Sequence, residues 1–252
     1  MTTRFNCALD GVSLAGLDER IVIIDILEDA PRMSTVSLPL HTGGQRVLTS
    51  HRESITIRVR FAIHEEDPIR RQTVMQSIHA WAMNGGTLTI SPRPGQQVKV
   101  SCTTLPGLTF RDWPEEMTLA FTSLYAPWWE ATEHTTLSGT SAHTLLVPGT
   151  ADYADMDVAI INTNTAAVTE LTVRCGNTHV TFRNISLPSG GQLVISHVRG
   201  VFSAKLDGRS ILNRRTMDSS DELLLPCGES IELAVEAASP LFAFFQVRGR
   251  YA

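Results

Sequence analysis

The segment ESITIRVRFAI, residues 53–63, constrains the fold most: Ile55, Ile57, Val59, Phe61 and Ile63 alternate with Thr56, Arg58 and Arg60. A period of two places the apolar side chains on one face of a strand and the polar ones on the other. That apolar face requires a covering layer, so a single strand of this kind already implies a layered β structure. Runs of the same period recur at TLTI (87–90), QVKVSC (97–102) and EMTLAFTSLY (116–125). In the last, Met117, Leu119, Phe121 and Ser123 share one side.

One segment breaks this rhythm. In EEDPIRRQTVMQSIHAWAMNGG, Asp67 can cap a helix whose first turn opens with Pro68, and Asn84-Gly85-Gly86 ends it. The spacing predicts one helix over about residues 66–83. Ile69, Val74, Ile78, Trp81 and Ala82 fall near one face. Val74, Ile78 and Trp81 are expected to pack on a sheet, with Arg70, Arg71 and Gln76 facing outward.

YAPWWEATEH (125–134) reads as a junction, because Pro127 cannot donate a ladder hydrogen bond and Trp128 and Trp129 can anchor neighbouring parts. Behind it the pattern is β without a helix. Candidate strands are HTLLV (143–147), DVAIIN (157–162), AAVTELTVRC (166–175), THVTFRN (178–184), GQLVISH (191–197), ESIELAVEA (229–237) and LFAFFQVRGRY (241–251). Turns are marked by Cys175-Gly176-Asn177, Pro188-Ser189-Gly190-Gly191, Asp207-Gly208 and Pro226-Cys227-Gly228. The reading is an all-β chain with two β-sandwich-like domains, residues 1–130 with the single helix and residues 131–252. Short strands at this spacing suit a sandwich or jelly roll.

Composition narrows the function. With 42% hydrophobic and 19% charged residues, the chain has the make-up of an ordinary globular protein. Residues 1–130 carry 12 Lys+Arg against 14 Asp+Glu, and residues 131–252 carry 9 against 12. Lys99 and Lys205 are the only lysines, and no basic stripe is present, which argues against nucleic acid as a partner. No apolar run reaches the roughly 18 residues of a membrane span, and the start lacks the pattern of a secretory leader. Cys7, Cys102, Cys175 and Cys227 lie far apart and read as reduced thiols.

No catalytic signature is found, and neither a metal nor a cofactor is expected. His64-Glu65-Glu66-Asp67 fits an acidic helix start better than a cation site. Asp152, Asp155 and Asp157 are the best carboxylate set for calcium, but the tight-turn glycine and the closing glutamate are missing, so a polar loop is the expectation. In LFAFFQV, Leu241, Ala243, Phe245 and Val247 make one face, while Phe242 and Phe244 point outward. These two read as a protein contact of the outer domain more than a sugar platform.

Taken in order, these landmarks resemble the distal tail protein of long-tailed, siphovirus-type phages. The resemblance is carried by the helix of the first domain, the strand and aromatic junction MTLAFTSLYAPWWE, and the block ELTVRCGNTHVTFRNISLPSGGQLVIS. It continues through the hairpin AKLDGRSILNR and the turn and strand LLLPCGESIELAVEA. It implies a structural protein of the virion tail tip, assembled in the host cytoplasm, whose first domains form a homo-oligomer, a hexameric ring. The ring would join the tail tube protein to tail tip hub and tail-associated proteins and to a receptor-binding protein. The second domain would be jelly-roll or galectin-like, and 252 residues leave no room for an inserted sugar-binding module. Long strands such as residues 55–63 favour the same conclusion, since an exposed long edge needs a second subunit to cover it. The alternatives are a carbohydrate-binding β-sandwich module for host-surface adsorption, which needs a polar cluster beside an aromatic face, and a glycan hydrolase, which needs facing carboxylates.

Overall fold

A computed structural model describes residues 5–30, 32–39, 45–107, 116–124 and 127–252. The chain divides into two compact units, Met1–Trp129 and Glu130–Ala252. The all-β class is borne out, with one α-helix among the described residues, and antiparallel pairing builds the sheets of both units.

The first unit contains β1 (Cys7–Leu9), β2 (Val12–Ser13), β3 (Ile21–Glu28), β4 (Met33–Pro39), β5 (Gln45–Arg52) and β6 (Thr56–Ile63). After helix α1 (Pro68–Met83) come β7 (Gly86–Ile90), β8 (Gln96–Thr104) and β9 (Met117–Ser123). Seven strands follow one another in a sheet in the order β2-β1-β7-β8-β9-β6-β3, and β4 and β5 make a separate two-stranded ribbon. Strand β6 has the expected faces: Ile57, Val59, Phe61 and Ile63 are fully buried, while Arg58 is exposed and pairs with Asp29 at 2.8 Å. Its place in the sheet differs from the expectation. It lies between β3 and β9, so it is not an edge, and the long edge strand is β3. A period of two reports faces, not neighbours.

Helix α1 starts where the sequence indicates, with the Asp67 carboxylate accepting from the Ile69 amide at 2.9 Å and Pro68 in the first turn. Val74, Met75, Ile78 and Ala82 are buried, and Trp81 is half-buried, its ring edge-on to Phe121 with centroids 6.1 Å apart. Two expectations fail here. Ile69 is 74% exposed, and the buried apolar face of the helix begins at Val74. Arg71 is only 7% exposed: its guanidinium folds back to donate to the Glu65 carbonyl at 2.7 and 2.9 Å. The helix ends at Gly85 (φ +63°), where a Cβ would stand 2.3 Å from the Val100 carbonyl oxygen, so no side chain fits.

Strand β10 (Trp129–Ala131) runs from the end of the first unit into the second. There follow β11 (Thr135–Gly139), β12 (His143–Leu146), β13 (Asp155–Ile161), β14 (Val168–Cys175), β15 (Thr178–Leu187) and β16 (Gln192–Val198). The last are β17 (Val201–Leu206), β18 (Arg209–Ser210), β19 (Ser230–Ala237), β20 (Phe242–Arg248) and β21 (Arg250–Tyr251). Two sheets, β11-β20-β13-β16-β17-β18 and β12-β19-β14-β15, stack as a sandwich. Between them lie Val158, Ile160, Leu193, Ile195, Ala243 and Phe245 from one sheet and Leu171, Val173, Val180, Phe182 and Leu233 from the other. The AKLDGRSILNR hairpin forms as expected, with Asp207 and Gly208 both at positive φ between β17 and β18.

Candidate assembly surfaces

Among the described residues, no group of three or more His, Cys, Asp or Glu side chains is placed to hold a metal ion. Cys7 and Cys175 are buried thiols whose pKa burial pushes up to about 12, which makes them unreactive. Asp155 does not join Asp152 and Asp157 in a loop site. It is buried on β13, accepts from the Arg199 amide at 2.7 Å, and is held by the Arg250 guanidinium. No helix among the described residues is long and apolar enough to cross a membrane.

Instead, an ion network ties together the start and end of the second unit. Glu130, also buried, accepts from Arg199 Nε at 3.0 Å and from Arg248 Nη1 at 3.2 Å. Arg199 occupies the two-residue turn between β16 and β17 at φ +54°, a conformation that favours Gly or Asn. Its amide on Asp155 and its guanidinium on Glu130 offset that strain. Arg248 also donates to His134 Nε2, which fixes that nitrogen as an acceptor. Sequence reading missed the network, since its members are spread from residue 130 to residue 250. The one local hint is Arg248-Gly249-Arg250 closing a strand that pairs with Asp155.

Burial pushes the Glu130 carboxyl up, but the Arg199 hydrogen bond and the charges of Arg199 and Arg248 outweigh it, and the net shift is down. A depressed folded pKa contributes stability that is complete above the ordinary glutamate value, about 4.3, and is lost as pH falls through the folded value. The difference in unfolding midpoint between the native protein and Glu130→Gln is therefore expected to narrow as pH falls below about 4. A difference unchanged between pH 7 and about pH 3 would contradict this account of Glu130.

Of the junction residues, Tyr125 and Ala126 lie outside the described residues; Pro127 and Trp128 are half-buried and Trp129 is fully buried. Within the first unit, the Trp129 indole N–H donates to Glu28 at 3.2 Å, and Arg93 sits over its ring while pairing with the same carboxylate at 3.0 Å. Arg52 lies 4.6 Å from the centre of the Trp128 ring.

The surface holds three features a partner can use. The β4–β5 ribbon bonds to no other sheet among the described residues, and Met33 and Val36 on it are 60% and 47% exposed. An isolated two-stranded ribbon is marginal in water and gains from an external face. Strand β3 is a long edge, kinked by a bulge near Ile24 and partly blunted by Asp25, whose carboxylate accepts from the Ile26 amide. By contrast, the ten-residue edge strand β15 is covered by its own chain: Thr216 and Ser220 amides donate to the Thr181 and His179 carbonyls at 2.9 and 2.8 Å. The third feature is the outer face of the six-stranded sheet. Phe242 and Phe244 are half-buried there and point away from the core, as the alternation of β20 requires.

The Dit protein (gp 19.1) of SPP1 has a similar structure, with a TM-score of 0.74 at 12% sequence identity. The match covers 97% of this chain and 98% of that one, and that protein is described as a paradigm of the hub adsorption apparatus in phages that infect Gram-positive hosts. A chain of the phage P2 baseplate in its activated conformation with calcium aligns over 99% of this chain and 98% of its own, at 10% identity and a TM-score of 0.47. No family model and no curated protein matches the sequence. The resemblance read from the sequence holds at the level of the fold.

Proposed function

We propose, starting from a fold shared along nearly the whole chain with a phage hub protein, that this protein is a structural component of a siphovirus-type tail tip. In this reading, six copies close a ring that joins the tail tube to the tail tip or baseplate. Assembly takes place in the host cytoplasm. The partners are further copies of this chain, the tail tube protein, tail tip hub proteins and a receptor-binding protein.

The observation that carries the reading is the coverage: an alignment of 97% and 98% of the two chains takes in both units. Physical features support it. A ring needs a head-to-tail contact between two different surfaces of one chain, and the β4–β5 ribbon and the β3 edge are two such surfaces. A formal charge of −5 without a basic stripe suits protein partners rather than nucleic acid.

Negative-stain images of the purified protein are the test of class. Rings with a central hole are expected. Compact particles without a hole at every concentration examined would count against a hub.

A further inference from the structure

The register of the six-stranded sheet groups residues far apart in sequence. One outward row runs Ser138, Phe244, Ala159, Val194, Lys205 across β11, β20, β13, β16 and β17. The row beside it on one side is Phe242, Ile161, Gln192. On the other side it is Thr136, Gln246, Asp157, Ser196, Ser203. The centre of this face is thus an apolar strip of Phe242, Phe244, Ile161, Ala159 and Val194, bordered by a row of hydroxyl, amide and carboxylate groups.

None of the side chains of Gln246, Asp157, Ser196 and Ser203 makes a hydrogen bond to another described residue. Elsewhere on the unit, polar surface groups are engaged: Arg174 pairs with Glu236 at 2.6 Å and Arg183 with Glu170 at 2.9 Å. Asp157 is half-buried in mid-sheet and unpaired among the described residues, with Lys205 only at the margin.

We infer that this face is a binding site for a neutral oligosaccharide of two or three rings, stacked on Phe244 and Phe242 and hydrogen-bonded by Asp157, Gln246, Ser196 and Ser203. The chemistry matches on both sides. A pyranose presents a C–H face that lies on an aromatic ring, and a rim of hydroxyls that both donate and accept. Asp157 accepts from two neighbouring hydroxyls, and its uncompensated charge disfavours an acidic sugar. The size matches as well. Three strands about 4.8 Å apart and two rows about 7 Å apart give a footprint on the order of 200 Å². A stable protein contact needs about 800 Å² per partner, so this strip fits a small ligand. The inference does not rest on the proposed ring, but a ring would multiply a weak site through multivalency.

The test uses the full chain with chitotriose, maltotriose, cellotriose and lactose as probes, followed by ligand-observed NMR and calorimetry. Saturable binding of at least one, with a dissociation constant near 1 mM, is expected, weakened at least tenfold by Phe244→Ala and by Asp157→Ala. Both side chains point outward, so unchanged melting curves verify that the variants fold. No saturable binding to any probe at concentrations up to about 10 mM would overturn the inference. So would binding that both variants leave intact. A change in particle mass caused by Phe244→Ala would also overturn it, by making the face a protein contact. The ring reading is tested separately by the particle mass of the native protein and does not depend on these results.

Discussion

Asp155→Ala is expected to destabilise the second unit by about 3–5 kcal/mol, because it leaves the Arg250 guanidinium buried without its carboxylate. Both partners are nearly covered, with side chains 5% and 11% exposed. The loss extends beyond one pair, since Asp155 also holds the Arg199 amide in a left-handed turn. The double variant Asp155→Ala/Arg250→Ala removes the stranded charge as well and is expected to be more stable than the sum of the single losses predicts. Urea unfolding followed by a probe in the second unit gives both numbers. An Asp155→Ala midpoint equal to that of the native protein would show that the network contributes nothing.

Trp129→Ala is expected to cost the first unit a similar amount, about 3–5 kcal/mol, through a different mechanism. The ring is the largest fully buried side chain, so its removal opens a cavity. It also takes the indole N–H from Glu28, which keeps the Arg93 guanidinium as its partner. Trp129→Phe keeps most of the packing and loses only the indole bond, so a smaller loss is expected. The measurement is the same unfolding curve read through a probe in the first unit. Equal losses for the Phe and Ala variants would show that the hydrogen bond, not the packing, dominates.

Much of the local structure was legible in the sequence because its causes are local. The faces of β6 and β20 follow from a period of two, and the helix limits follow from Asp67, Pro68 and Gly85. What local pattern does not carry is which strand neighbours which. Residues 55–63 read as a long strand with an edge to cover and lie in mid-sheet, while IVIIDILE, whose four leading apolar residues show no alternation, is the edge strand β3. The same limit explains the missed ion network, whose charges meet only after β10, β13, β16 and β20 come together. Arg71 was expected in solvent because arginine usually is; its burial depends on the Glu65 and Glu66 carbonyls that precede the helix. On the outer face, the sequence named Phe242 and Phe244, but only the register supplied Asp157, Ser196 and Ser203 beside them.

The central claim, a ring-forming tail hub, is tested most directly by the mass of the purified protein in solution. Light scattering across rising concentration is expected to approach six times the chain mass of 27.6 kDa. A particle that remains a closed two-fold dimer at every concentration would contradict it, because a two-fold contact buries the same patch on both copies and leaves no surface for a third.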